Sequence, residues 1–299
     1  MTISWWGNIR FEEAFTPDLC RLLAASGCVA VSAGLEAASD RLLAEMKKGI
    51  TVEQTACVAQ AFREAGVLVH AYLMYGLPGE TIAETVDALE RVRQLFAAGL
   101  IQSAFWHRFV ATAHSPVGLN PAAHGIRITG PSFGGFAEND LTHEDPKGRA
   151  PAWLGEGLRR ATMNYLEGQG LAVPVPRWFS HRVSAPRVST RWAAGVLAKP
   201  MRRKEQTLER RLVWIGGTPV VESSRRGRSR VILPTRTDDV TVELPVQQVA
   251  WLAELLRAST PKPGIRYPVW KNVAAAKDGA AFVKSAAWKK ARAAGLLLV

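Results

Sequence analysis

The chain has 299 residues, 47% of them hydrophobic, enough to bury a sizeable core in one large or two ordinary domains. No apolar run is long enough to span a bilayer, and the opening MTISWWGNIRFEE lacks the basic region and apolar core of a secretion signal, so a cytoplasmic protein without a membrane role is expected. The net charge of +12 is uneven: residues 1–150 hold 12 Lys/Arg against 16 Asp/Glu, and residues 151–299 hold 26 against 10, which predicts two parts with different partners.

Trp5–Phe11 reads as a short strand. A helix follows, with Thr16 as N-cap, Pro17 at its first position and Gly27 at its end. Cys28–Leu35, CVAVSAGL, is the next apolar strand and runs out at Gly34-Leu35-Glu36. Ser39–Lys48 predicts a short helix with Leu42, Leu43 and Met46 inward. Thr51 and Gln54 have the spacing of a capping box and open a helix that lasts to Gly66. Val67–Tyr75 is an apolar run that predicts a strand buried on both faces. Gly76, Pro78 and Gly79 turn the chain, and Thr81 with Glu84 forms a second capping box. Ile82, Val86, Leu89, Val92 and Leu95 mark the helix that follows, which Gly99 stops. Leu100–Val110 is a further strand.

Strands alternating with helices over the first 110 residues imply βαβ units and a parallel sheet. Four strands are too few to close a barrel, so residues 1–118 predict part of a larger α/β fold. Residues 119–199 read as a turn-rich and helical connection. HSPVGLNPAAHG and GPSFGGF are expected to line or cover the site, and Ala152–Gly168 is a helix with Leu154, Leu158, Met163 and Leu166 as core candidates. From Pro200 the composition changes. The basic run MRRKEQTLERR precedes strand candidates around Leu212–Ile215, Pro219–Glu222, Arg230–Leu233 and Val240–Leu244, then helices at Val246–Ala258 and Ala280–Ala294. Residues 200–299 therefore predict a small basic α+β domain, with a winged helix as one candidate arrangement.

In parallel α/β folds ligands bind at the carboxyl ends of the strands, here near Glu36, Gly76 and His107. Glu36 directly follows an apolar strand, where a carboxylate suits a ligand's hydroxyls or amine; a charge favourable to the next helix dipole is the other reading. His70, inside a strand, is expected to be a hydrogen-bonded core residue. His107 and His114 flank the end of the last strand on the side where a substrate would sit, with a packed or turn role equally open. Cys20, Cys28 and Cys57 match no disulfide framework, zinc site or cluster motif and are expected to be buried thiols; no metal site is expected.

Two stretches, SGCVAVSAGLEAASDRLLAEMKKGIT and AGVLVHAYLMYGLPGET, resemble the carboxyl half of the radical S-adenosylmethionine (SAM) core, in the branch of cobalamin-binding radical SAM proteins and tRNA methylthiotransferases. The resemblance runs roughly from Arg10 to Gly118. It implies a partial (β/α)6 barrel holding SAM and a [4Fe-4S] cluster, where reductive cleavage of SAM yields a 5′-deoxyadenosyl radical. By motif, Glu36 would bind the ribose hydroxyls or methionyl part of SAM, and Met74 to Gly76 would lie against its adenine or methionyl group. Ala104, Phe105 and Trp106 would offer backbone contacts to adenine. Glu80 would start a helix rather than catalyse, and Lys47, Lys48 and Gly49 match a structural turn. Cobalamin would belong to an upstream domain.

The chain departs from this pattern in having no C-x-x-x-C-x-x-C, the family's cluster motif. Phe11 and the residues before it correspond to the third barrel strand. A truncated barrel is therefore expected, unable to make the radical alone and in need of a missing amino-terminal half or a partner chain. Whether the chain by itself is an enzyme stays open. One alternative is a non-catalytic remnant or subunit that completes a barrel with another chain. Another is an RNA-binding or RNA-modifying protein acting through Arg202, Arg203, Lys204, Arg210, Arg211, Arg225, Arg226, Arg228 and Arg230, with Trp214 between the two clusters. A merely solvated basic surface is the counter-reading.

Overall fold

A computed structural model describes residues 3–133, 138–146, 150–199, 210–223, 227–262, 264 and 266–299. The elements of the first part are β1 (Trp5–Ile9), α1 (Pro17–Ala25), β2 (Cys28–Glu36), α2 (Asp40–Glu45), α3 (Val52–Glu64), β3 (Leu68–Tyr75), α4 (Ile82–Ala97) and β4 (Ser103–Arg108). Then come β5 (Ala111–Thr112), α5 (Pro116–Leu119), β6 (Arg127–Gly130), β7 (Asp140–Glu144), α6 (Ala152–Leu166) and α7 (Trp192–Leu197). The last part holds β8 (Leu212–Trp214), β9 (Val220–Ser223), β10 (Arg228–Pro234), β11 (Asp239–Pro245), α8 (Val246–Ser259), α9 (Trp270–Ala275), α10 (Lys277–Val283), α11 (Ala286–Ala294) and β12 (Leu296–Leu298). The chain forms two compact units: Ser4–Glu13 with Cys28–Met201, and Met1–Ile3 with Ala14–Gly27 and Arg202–Val299.

Local chemistry places the helix starts. The Thr16 hydroxyl accepts from Leu19 N–H at 3.2 Å and Pro17 opens α1. At α4 the capping box is complete, because Glu84 also returns to the Thr81 N–H at 3.0 Å. At α3 it is half made: Thr51 accepts from Gln54 N–H, but the Gln54 amide turns to the Phe11 carbonyl at 2.5 Å. An unpaired buried carbonyl costs more than a surface cap contributes, and the tertiary acceptor wins.

β1, β2, β3 and β4 form a parallel sheet in that order, each strand joined to the next through a helix-bearing segment. One face is closed: Val31, Ala33, Leu35, Val69, Ala71, Leu73, Ala104 and Trp106 are buried, and the Trp106 indole donates to Thr162 on α6 at 2.9 Å. The other face is open. Leu68 and Tyr72 alternate with the buried residues of β3 and are 54% and 38% exposed, so this strand is not buried on both faces as its apolar run predicts. The register aligns Tyr72 with Phe105 and His70 with Ser103, which carries the open face across to β4. α6 buries Leu154, Leu158, Ala161 and Tyr165; Met163, a core candidate, falls off that stripe and is exposed.

In the second unit β9, β10 and β11 form an antiparallel sheet and β8 pairs with β12. Its core joins Trp214, Val231, Leu233, Val242, Leu252, Leu256, Phe282 and Leu296. The stretch predicted as one helix at Ala280–Ala294 is two, because Ser285 leaves the helical path and caps α11 through Trp288 N–H at 3.3 Å. Of the expected basic clusters, Arg202, Arg203, Lys204, Arg225 and Arg226 lie outside the described residues, as does the end of GPSFGGF.

α1 is fastened within this unit by charge. Asp18 pairs with Arg292 and accepts from Leu298 N–H at 3.0 Å, while Arg21 donates to the carbonyls of Arg292 and Ala293 at 2.9 and 2.8 Å. Asp18 and Arg292 are only 13% and 19% exposed. Replacing Asp18 by Ala strands a part-buried guanidinium and a backbone N–H, and is expected to cost about 2 kcal/mol. Urea denaturation of the variant checks this, and a loss no larger than that of an Ala substitution at exposed Glu254 would refute it.

Candidate functional site

The carboxyl ends of β2, β3 and β4 bring the predicted residues to one edge. Glu36 ends β2 with φ of +54°, and Ala38 follows at +45°. Left-handed backbone is costly for residues with a Cβ, and two such positions after one strand mark a place where shape outweighs local preference. A β-bulge between Gly34 and Glu36 accompanies them. A Cβ on Gly34 would lie 2.3 Å from Glu36 Oε1, so the carboxylate folds back into the space that the glycine leaves. Lys48 Nζ donates to Glu36 Oε1 at 2.8 Å, and the Lys48 carbonyl accepts from Arg10. Lys47 (φ +53°) and Gly49 (φ +68°) shape the turn that delivers Lys48. The turn thus supplies a charged partner, a role its sequence does not announce.

The turn after β3 is closed by Glu80. Its Oε2 accepts from the N–H groups of Gly76 and Leu77 at 2.7 and 3.0 Å, and its Oε1 from Thr85 at 2.7 Å. Burial pushes the Glu80 carboxyl up against these donors. Gly76 takes φ of +77°, and a Cβ there would press on Ala150 at 3.1 Å. Met74 packs with Met46 and Phe109 against Ala37, Leu42 and Leu77.

On the open face, three rows run toward the carboxyl edge. Asn8, Ser32, His70 and Ser103 align across all four strands, with Trp6 Nε1 donating to Ser32 at 2.9 Å and His70 Nδ1 2.7 Å from Ser103 Oγ. Gly34, Tyr72 and Phe105 make the second row, and Met74 and His107 the third. Tyr72 sits edge-on to His70 at 4.8 Å, and Phe105 to His107 at 4.7 Å. Burial and the neighbouring His107 pull the His70 pKa down, which favours the neutral ring. His70 is hydrogen-bonded, as expected, but it faces the open side and not the core. Of the residues expected near adenine, Phe105 lies on this face, whereas the side chains of Ala104 and Trp106 are buried on the other. His114 stands exposed on the loop before α5.

Sequence reasoning missed Lys48, Tyr72 and the His70–Ser103 pair. The signal was present in HAYLM, where His70, Tyr72 and Met74 alternate with Ala71 and Leu73. Among the described residues no three His, Cys, Asp or Glu side chains gather as a metal ligand set. Cys28 begins β2 with its thiol on the Ala30 carbonyl, Cys57 lies within α3, and burial pushes both thiols up.

Arg41 braces the edge. It grips both Glu84 oxygens at 2.6 and 2.9 Å, Glu45 at 2.6 Å and the Gly79 carbonyl at 3.2 Å. Burial pushes the Glu84 carboxyl up, but Arg41 and Thr81 outweigh it and hold it at about 2, against an ordinary value of 4.5. Because the folded value is the lower one, this stabilisation is whole above pH 4.5 and disappears as pH falls through about 2. With Arg41 partly exposed it is expected to amount to about 1–2 kcal/mol. Urea midpoints between pH 5 and 2 should fall less steeply for Glu84→Gln than for the parent; parallel curves would refute the assignment.

Comparison with known proteins bears on this edge. Residues 9–92 match the Radical SAM superfamily. A stretch of 70 residues is 36% identical to an uncharacterized protein of Methanopyrus kandleri, covering 22% of this chain and 13% of that protein. Among solved structures, the radical S-adenosylmethionine methyltransferase TsrM of Kitasatospora setae, with tryptophan substrate and a SAM analog bound, aligns at 25% identity and TM-score 0.35, over 43% of this chain and 26% of its own. The Elp3 of Methanocaldococcus infernus aligns at 13% identity and TM-score 0.35, over 77% and 53%. The match therefore spans only part of each of these proteins. The stretch from Ile9 to Val92, which carries the Glu36 bulge, the Lys48 turn and the Glu80-closed turn, belongs to the radical SAM superfamily.

Proposed function

We propose that the carboxyl edge and open face of the β1–β4 sheet are the SAM-binding part of a partial (β/α) barrel, within a radical SAM enzyme of the cobalamin-associated branch. The observation that carries this reading is Glu36: a carboxylate folded over Gly34 onto the open face, backed by Lys48, in the superfamily-matched stretch. A carboxylate there can accept from ribose hydroxyls or an α-amine, while Tyr72 and Phe105 give flat apolar surface to a base. Met74 and the Gly76 turn close the edge beside them. Bound SAM supplies the group whose reductive cleavage starts radical chemistry in the superfamily.

The chain's own cysteines do not fit the [4Fe-4S] cluster. A cluster draws its thiolates together, and Cys20, Cys28 and Cys57 stand on three separate elements, α1, β2 and α3, with burial pushing the Cys28 and Cys57 thiols up. Cluster ligands for this reading come from outside these three residues. A second reading, a subunit that completes a barrel with another chain, is favoured by β1. Among the described residues it is an edge strand of the sheet, and its Trp6 is 56% exposed. Self-association lost on adding the amino-terminal half of a radical SAM barrel supports it; a stable monomer counts against it.

Titration calorimetry with SAM tests the first reading. The parent should bind, and Glu36→Gln and Gly34→Ala should each weaken binding at least ~10-fold, about 1.4 kcal/mol. Gly34→Ala acts by displacing the carboxylate without removing it. If the parent takes up no SAM, or if both variants with unchanged circular dichroism bind equally well, the reading fails.

A further inference from the structure

The segment Lys262–Arg292 holds eight Lys/Arg and a single acidic residue, Asp278, a net of +7. Lys271, Lys277, Lys284, Lys289 and Lys290 are all exposed on α9, α10 and α11 or their ends. Of these amines, Lys290 is engaged, donating to the Thr241 carbonyl at 3.0 Å. The apolar side chains of the same helices point inward: Phe282 is 1% exposed, Ala287 5% and Ala291 0%. The arginines of β10, expected to form a basic surface, are turned to their own sheet. Arg228 donates to the Glu243 carbonyl at 3.2 Å, and Arg230 lies 4.0 Å from Glu222.

Aromatic rings run through the lysine array. Trp270 and Trp288, both half-buried, stack at 4.9 Å and 21°, with the Arg292 guanidinium 5.5 Å from the Trp288 ring centre. The stack joins the first turns of α9 and α11, and Lys271 and Lys289 each directly follow a stacked ring in sequence.

We propose that α9, α10 and α11 form a docking surface for single-stranded nucleic acid. Separated exposed amines match a chain of phosphodiesters, and binding releases the counterions condensed on it. The partly exposed Trp270–Trp288 stack beside Lys271 and Lys289 adds ring area that an unpaired base can contact. A membrane surface fits less well, since an interfacial helix needs outward apolar side chains, and here these are buried in the protein core. The surface belongs to the unit that does not hold the β1–β4 sheet, and the proposal does not depend on the SAM reading.

The test uses the full chain and fluorescein-labelled 20-mers of oligo(U) and oligo(dT), titrated by fluorescence anisotropy between 50 and 200 mM salt, a span of about 10³–10⁵ in affinity for a protein making many phosphate contacts. The parent should bind, and the variant with Lys271, Lys277, Lys284 and Lys289 all changed to Ala should bind at least ~10-fold more weakly at low salt. Its log–log salt slope should be shallower by about three, since each lost phosphate contact removes roughly 0.7 on single strands. Tighter binding of oligo(U) than of oligo(dT) assigns the surface to RNA, and the reverse to DNA. An unchanged melting temperature excludes unfolding, and because the four side chains are exposed, a second variant with Gln at the same positions should behave alike. The proposal is overturned if neither oligonucleotide binds, if the four-lysine variants bind like the parent while Arg225, Arg226 and Arg228→Ala abolishes binding, or if the lysines govern only binding to phosphatidylserine vesicles.

Discussion

Two backbone N–H groups, of Gly76 and Leu77, leave β3 pointing away from any strand, and the carboxylate of Glu80 satisfies both. The positions of the other edge residues depend on that arrangement. Glu80 also takes the Thr85 hydroxyl from the first turn of α4, so turn and helix start become one hydrogen-bonded body. Arg41 of α2 then holds this body from outside through Glu84 and the Gly79 carbonyl. A parallel strand cannot return by a two-residue hairpin and needs a fixed exit into its helix. Burial raises the cost of the Glu80 charge, and three donors offset part of it; removing one donor would leave the rest of the network worse satisfied than an apolar turn.

The sequence exposed what depends on near neighbours. Thr16 before Pro17, Thr51 before Gln54 and Thr81 before Glu84 each cap a helix, because a hydroxyl three residues from an N–H needs nothing from the rest of the fold. It concealed what depends on distant partners. Gln54 abandons its half of the capping box for Phe11, a residue 43 positions away. Met163 is apolar but stands about 140° around α6 from Leu158, off the buried stripe that passes through Ala161, Thr162 and Tyr165. Thr162 owes its burial to the indole of Trp106, which no periodicity reveals.

The candidate site shows the same division. Glu36 was legible as a carboxylate after a strand and a glycine, and the motif around it assigned the family. Its conformation was not legible, because left-handed backbone at Glu36 and Ala38 runs against the preferences of both residues. Gly34 could be read as a strand terminator; its use, giving room to a carboxylate two residues on, emerges only from the bulge. Lys48 looked like part of a turn because its partner is twelve residues earlier and on another element.

Parallel sheets are usually covered on both faces, and their strands read as continuous apolar runs. The β1–β4 sheet keeps that composition on β3 yet leaves one face exposed, so its outward residues need a physical explanation. Some polar groups there are paired with one another, Trp6 with Ser32 and His70 with Ser103, and the Glu36 charge is balanced by Lys48. Covering this face would leave those pairs intact, whereas Asn8, Tyr72 and His107 would each need a partner from whatever covers it. The exposed apolar area of Leu68, Tyr72 and Phe105 would then contribute directly to binding whatever covers it. Bare rings beside polar groups that can still pair are what the proposed ligand, a flat base joined to a few hydroxyls, would call for.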